Sequence, residues 1–388
     1  MSKPLSALVE KLPDSGITEY FDPKALGEGT FSLGVGEPDF DTPAHIRLAA
    51  IKALENADTK YTDNKGVERL REQLSLYLEK FGVHYNPDKE ILVTTGGSEG
   101  IDLAFRAVLN PGDEVLVIQP SYVSYLPCVE LGGGVPVVVE TSEKNGFRVK
   151  AEDLEAKLTP KTKMVIMPYP CNPTGVILEK EDLEEIADFI VKNDLYVLSD
   201  EVYAELTYGS THVSIASMPG MKERTIVVNS FSKGFAMTGW RIGVAAAPAP
   251  IMKLMERIHQ YTIMSVGTVN QAAVLDALEN PDRDKEIGHM RDVYNERRKR
   301  IVDGLNRIGL PTVEPKGAFY AFPNITSTGL SSQEYCRRLQ KEQKVAVVPG
   351  NAFGACGEGF VRISYACDTE TIKTCLERME AFQKSLHA

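Results

Sequence analysis

The stretch "SFSKGFAMTGWRIG", which begins at Ser230, sets a single lysine, Lys233, among serines and glycines, with Arg241 eight positions further on. A solvated lysine normally rides a helix among other charges. Lys233 instead stands between "TIVVN" and "GWRIGVAAA", two runs that read as buried strands. A lysine amine whose pKa is lowered can form a Schiff base and act as acid or base. Three other loops share this placement at strand ends. In "TTGGSEG", Gly96 and Gly97 end a strand while Ser98 and Glu99 open a helix, whose exposed N–H groups and positive end favour an anion. Ser230 and Arg241 could complete a phosphate cup there, because a guanidinium fork suits phosphate. The glycines match neither G-x-G-x-x-G nor G-x-x-x-x-G-K-[ST], which disfavours a dinucleotide or a nucleoside triphosphate. "PYPCNPTG" holds Asn172 ahead of Pro173, a position biased to an extended backbone that can aim an amide into a cleft. "LSDEVY" ends an apolar strand on Asp200. Each of these loops also has a structural alternative, a tight turn for the glycines and for N-P-T-G and a helix cap for Asp200. In "FVRISYA", Arg362 interrupts an apolar strand, and a buried arginine needs an anion: a structural carboxylate or a substrate's.

The elements that must position these residues alternate regularly. "EILVTT" precedes "SEGIDLAFRAVL", "DEVLVIQ" precedes "YVSYLPCVELG", and "VPVVVE" precedes "EDLEAKL". "KMVIMPYP" then leads to the acidic, amphipathic "EKEDLEEIADFIVKN", and "YVLSDE" and "TIVVNS" lead to Lys233. Such alternation predicts βαβ units in an α/β fold: a three-layer αβα large domain with a mostly parallel sheet. Past Pro250 the texture changes to helix-like segments over about 250–309. Short apolar runs and a final helix over about 369–385 follow, the pattern of a smaller α+β domain. The expected division is 46–285 as the large domain and 286–388 as the small C-terminal domain, to which the resemblance given below adds 1–45 as an N-terminal arm and part of the small domain.

Composition narrows the function classes. The chain has 388 residues, 43% hydrophobic and 25% charged, enough for a large core in two domains. Its net charge of −11, from 54 acidic against 43 basic residues, sets the overall field against nucleic acid and anionic membranes, so neither is an expected partner. The N-terminus lacks a charged-then-apolar signal pattern and the longest apolar run is too short to span a bilayer, so a cytoplasmic location is expected. Six scattered cysteines form no C-x-x-C pair and six histidines no H-E-x-x-H cluster, so no metal is expected.

Taken together, "LGVGEPDFDTP", "YT", "GGSEG", "NPTG", "SDEVY", "SFSKGFAMTGWRIG" and "VRIS" resemble the fold-type I, class I/II aminotransferases, which use pyridoxal 5′-phosphate. The resemblance covers nearly the whole chain and is similar in detail to the bacterial subgroup of aspartate, aromatic and N-acetyl-diaminopimelate aminotransferases. It implies that Lys233 carries the cofactor as a Schiff base and, once freed by the amino substrate, moves the proton. By the same resemblance Asp200 pairs with the pyridine nitrogen, and Tyr203 and Asn172 hydrogen-bond the phenolic oxygen. Tyr122 stacks on the ring, while Ser98, Ser230, Arg241 and the Gly97 amide hold the phosphate. Arg362 takes the substrate α-carboxylate, helped by Asn172 and the Gly36 amide. Tyr61, in "KYTDNKG", reaches the phosphate of the neighbouring subunit's cofactor, which implies a homodimer with shared sites.

Two other readings fit some of these residues. A β-lyase on the same fold would share cofactor, lysine and aspartate, although "MTGWRIG" favours transamination. A non-catalytic sensor domain of a transcription regulator would need a DNA-binding segment, for which residues 1–30 are too short and too acidic. Aspartate-selective members of the subgroup carry a lysine where this chain has Ser98. "SGITEYFDP" offers Ile17, Tyr20 and Phe21 near the site mouth instead, residues that could equally be packing. The expected donor is therefore an aromatic or bulky neutral amino acid, with 2-oxoglutarate as acceptor.

Overall fold

The computed structural model describes residues 3–17, 20 and 26–386. Its strands are β1 (Phe31–Ser32), β2 (Ile91–Thr94), β3 (Glu114–Gln119), β4 (Val135–Glu140), β5 (Thr162–Met167), β6 (Tyr196–Asp200), β7 (Thr225–Ser230), β8 (Gly243–Ala246), β9 (Tyr320–Ala321), β10 (Val345–Ala346), β11 (Val348–Pro349) and β12 (Val361–Ser364). Seven of them form the central sheet in the order β2-β8-β7-β6-β5-β3-β4. Every pairing is parallel except those of β8, which runs antiparallel to both β2 and β7. The architecture is α/β with a mostly parallel sheet, as the alternating runs predict.

Both faces of this sheet are buried, which is why its strands read as continuous apolar runs. Successive residues of β7 show the alternation: Ile226 and Val228 join the core under the helices Gly96–Val108 and Ala249–Thr262. Val227 joins the core under Ala44–Glu55, Glu68–Glu79 and Thr268–Glu279. The helix Lys180–Lys192 covers the second face further along, packing Leu183, Ile186 and Ile190 on Leu116, Val165 and Val197.

A second apolar core gathers around the small antiparallel sheet β11-β12-β9, the parallel pair β1-β10, and the helices Ser332–Gln343 and Thr369–Leu386. The 25-residue helix Arg283–Arg307 joins the two cores. Ile287 near its start packs in the core of the large sheet, whereas Met290, Tyr294, Ile301 and Leu305 pack in the second core. Among the described residues no helix is long and apolar enough to cross a membrane.

Candidate active site

The carboxyl ends of β2, β3, β5, β6 and β7 meet a cleft of about 350 Å³, the position where open parallel sheets bind ligands. Lys233 enters it from a single helical turn, Phe231–Gly234, that follows β7 directly. Ser230 caps that turn, its Oγ accepting from the Ser232 amide at 3.2 Å. The glycine after the lysine lets the turn approach its neighbour, since a Cβ at Gly234 would lie 2.8 Å from the Glu205 Cβ. Lys233 Nζ donates to the Gly36 carbonyl at 2.6 Å and faces the rings of Tyr203 and Phe319 at 5.8 and 5.7 Å. Burial, with Arg362 adding to it, pushes this amine down to about 8.

Asp200, the last residue of β6, is buried beside the lysine. Burial pushes its carboxyl up to about 6. Tyr125 Oη opposes that by donating to Oδ2 at 2.6 Å, and the Val202 amide donates to Oδ1 at 3.3 Å. Tyr203 Oη stands 2.8 Å from Tyr320 Oη, both buried. Arg362 lies between the rings of Tyr320 and Phe353, at 4.6 and 4.8 Å. Its Nη1 donates to Asn172 Oδ1 at 3.0 Å and its Nη2 to the Gly34 carbonyl at 2.6 Å, while Nε has no partner. It is 2% exposed, and no carboxylate pairs with it among the described residues. Of the two anions the sequence left open, the described residues supply no structural one.

The other end of the cleft collects hydrogen-bond donors. The helix Gly96–Val108 starts two residues earlier than the sequence suggests, so Gly96 and Gly97 belong to its first turn. Gly96 adopts φ +73° and lies under Arg241, whose Nη2 would be 2.7 Å from any Cβ there. Gly97, Ser98, Ser230 and Arg241 line the cleft together, and so does Ser232. Tyr122 also lines it, set edge-on to Tyr125 with centroids 5.7 Å apart.

The cleft thus brings together Gly36, Gly97, Ser98, Tyr122, Asn172, Asp200, Tyr203, Ser230, Lys233, Arg241 and Arg362. It does not include Tyr61, which is 79% exposed and borders a separate open groove with Ser265 and Thr268. Ile17 lines the cleft, Tyr20 packs partly against the apolar cores, and Phe21 falls outside the described residues. The site residues expected from the sequence leave out Tyr125, Ser232 and Tyr320. Nothing local marks Tyr320. Among the described residues no group of three or more His, Cys, Asp or Glu side chains could hold a metal.

The family model for aminotransferase class I and II matches residues 28–379. The chain belongs to that family. It is 47% identical to an aspartate aminotransferase of Pyrococcus abyssi over 97% of both chains, and 47% identical to aromatic-amino-acid aminotransferase 2 of Thermococcus litoralis over 98% of both. The crystal structure of an aromatic aminotransferase from Pyrococcus horikoshii superposes with a TM-score of 0.91 at 47% identity, covering 95% of this chain and 99% of that one. This aminotransferase is therefore an enzyme that moves an amino group between an amino acid and a 2-oxo acid. A lyase and a silent sensor are not favoured.

Proposed function

We propose that the enzyme binds pyridoxal 5′-phosphate in this cleft and takes its amino group from an aromatic or bulky neutral L-amino acid, with 2-oxoglutarate as acceptor. The observation that carries the reading is Arg362, a buried guanidinium with a free Nε and, among the described residues, no carboxylate partner, sharing one cleft with a lysine whose amine is pushed down to about 8. The residues present suit the cofactor. Gly97, Ser98, Ser230, Ser232 and Arg241 offer phosphate donors at a positive helix end, Asp200 offers a buried carboxyl for a ring nitrogen, and Tyr122 offers an aromatic face. Bound there, the cofactor supplies an electron sink for the pair left on the substrate Cα.

The protein's own groups do the rest. Arg362 receives the α-carboxylate through its fork and Asn172 keeps that fork oriented. Lys233 Nζ, poised near neutral pH, would take the Cα proton and deliver it to the cofactor carbon on the other side of the amino nitrogen, two atoms away. Asp200 would hold a proton on the ring nitrogen, and Tyr203, whose hydroxyl meets that of Tyr320 at 2.8 Å, would hydrogen-bond the phenolic oxygen. Among the described residues the only cations lining the cleft are Lys233, Arg241 and Arg362, each with one of these tasks. Among the described residues no cation is left over for a donor's distal carboxylate, while Ile17 and Tyr122 add apolar surface; 2-oxoglutarate would bind through a different set of contacts. This supports a neutral donor. An apolar pocket discriminates by about 1–3 kcal/mol per methylene-sized difference, so moderate breadth is expected. Comparing kcat/KM for phenylalanine, tyrosine, methionine, alanine and aspartate with 2-oxoglutarate tests it: phenylalanine or tyrosine should lead, and a strong preference for aspartate refutes the reading.

We further propose a division into residues 1–45 and 286–388 as the small domain and 46–285 as the large one, supported by the change of core within Arg283–Arg307. A cytoplasmic homodimer is in keeping with six unpaired cysteines, with exposed Tyr61, and with Leu48, Ile51 and Leu54 outward on one helix. Tyr61 would then serve the partner's cleft. Sedimentation at micromolar concentration should give twice the chain mass, and a monomer with full activity would overturn this.

A further inference from the structure

Behind the cleft lies a second buried carboxyl that the reaction as described does not use. Along β6, Leu198 and Asp200 point to one face of the sheet, and Val197 and Ser199 to the other. The next residue, Glu201, turns toward Ser199. Glu201 is fully buried, and its Oε1 accepts from Ser199 Oγ at 2.8 Å and from Ser214 Oγ at 2.6 Å. Its Oε2 lies 3.0 Å from His212 Nε2, too oblique for a formed hydrogen bond, and neither atom has another partner. His212 is held edge-on against Phe81, with centroids 5.6 Å apart. Tyr85 Oη, buried and unpartnered, faces the same nest, with Glu90 beyond it paired to Lys222 at 3.3 Å. On the cleft side stand Asp200, Tyr125 and Lys233.

Two serine hydroxyls do not compensate a dry carboxylate, and among the described residues His212 is the one group in contact with Glu201 able to carry a positive charge. An uncompensated anion at Glu201, adjacent in the chain to Asp200, would drive Asp200 to hold its own proton, because two like charges in one buried site do not both ionise readily. We propose that Glu201 and His212 share one proton as a charge-neutral pair, and that this pair is a positioning unit that keeps Asp200 ionised toward the cofactor's ring nitrogen. The inference rests on the role given to Asp200 above.

The test uses the full-length protein stripped of cofactor and titrated with pyridoxamine 5′-phosphate, which forms no Schiff base with Lys233. His212→Asn should lose affinity relative to wild type in acid, by about tenfold at about pH 5.5, and converge with it above about pH 8, as an upward shift of about one unit at Asp200 requires. Glu201→Gln, which keeps the oxygen that accepts both serines, should track wild type at every pH. The double variant Glu201→Gln/His212→Asn should regain the wild-type profile. Rescue of the pH profile by removing a second group separates charge balance from simple packing. A His212→Asn loss that is equal at all pH values, or that persists in the double variant, overturns the proposal. Should His212→Asn fail to fold, an acid-shifted loss in Glu201→Gln alone overturns it, and a profile superposable on wild type supports it. Asp200→Asn is the separate arm: if that variant binds as wild type does, the role of Asp200 itself is wrong and the inference goes with it.

Discussion

At the scale of single residues, the site depends on burial opposing charge. Asp200 and Lys233 are the two clear cases, one carboxyl pushed up to about 6 and one amine pushed down to about 8. The linkage signs follow directly. Asp200 keeps its proton longer in the folded than in the unfolded chain, so its burial penalty is absent below about pH 4 and fully present above about pH 6. Lys233 gives up its proton sooner when folded, so its penalty is relieved as pH rises from about 8 toward about 10.5. Asp200→Asn should therefore flatten the decline in Tm of the cofactor-free protein between pH 4 and 6, in the range about 4–6 set by those values. A decline identical to wild type would place the titrating group elsewhere. Lys233→Ala should abolish turnover while leaving a folded protein that still takes up cofactor without a covalent bond. Near-normal turnover would remove the lysine from the chemistry. Arg362→Lys should weaken amino-acid binding by about 1–3 kcal/mol, the scale of a charge-assisted contact whose fork lysine cannot reproduce. Equal apparent affinity for several amino acids in that variant would make Arg362 a structural residue.

At the scale of elements, one segment ties the two ends of the site together. Over residues 33–42 the Gly34 carbonyl holds Arg362, the Gly36 carbonyl holds Lys233, Asp39 pairs with Arg297 at 2.8 Å, and Thr42 Oγ1 donates to the Ala236 carbonyl at 2.6 Å. Gly36 has no room for a side chain, since a Cβ there would sit 2.6 Å from Tyr320 Oη. Gly36→Ala should displace that hydroxyl from Tyr203 and lower kcat/KM by about tenfold or more, a misplacement effect, with cofactor affinity largely kept. Unaltered steady-state kinetics would show that the hydroxyl pair is dispensable. This is also where the sequence stops being legible. Arg362 stands out because it interrupts an apolar strand, Lys233 because it sits alone in a small-sided loop between two apolar strands, and Asp200 and Ser230 because strands end on them. Tyr320 and Tyr125 look like core aromatics, and only the chain's three-dimensional path turns their hydroxyls toward Tyr203 and Asp200. The first turn at Gly96 was missed because glycines usually end strands or turns, whereas here φ +73° lets the chain pass beneath Arg241. Tyr61 is named by motif, yet its place can be read only in an assembly.

At the scale of the whole molecule, the helices around the large sheet are joined by a titratable contact. His45 on Ala44–Glu55 bridges Asp276 on Thr268–Glu279 at 2.6 Å and Glu286 on Arg283–Arg307 at 2.8 Å. Burial alone would lower its pKa, but the two carboxylates override that and raise it. The contact's stabilisation is thus fully present below about pH 6.5 and is lost as pH rises through the higher folded value. His45→Gln should have little effect on Tm in alkali and lower it in mild acid, and a loss independent of pH would contradict the assignment. A substrate held by Arg362 at one end and acted on by Lys233 at the other should draw the two cores together and expel water. Small-angle scattering with and without a substrate analogue should show a smaller radius of gyration when bound, and superposable profiles would count against closure. The helix Arg283–Arg307 sets the scale of that movement. With Ile287 seated in one core and the next five turns in the other, it is a rod about 37 Å long at about 1.5 Å per residue, for which closure would place the pivot near one end. A swing of only about 5° about that pivot carries the far tip through about 3 Å, roughly a hydrogen bond's length. If closure runs about that point, the molecule would work as a lever, in which a change too small to disturb side-chain packing at the fulcrum suffices to make or break polar contact at the tip.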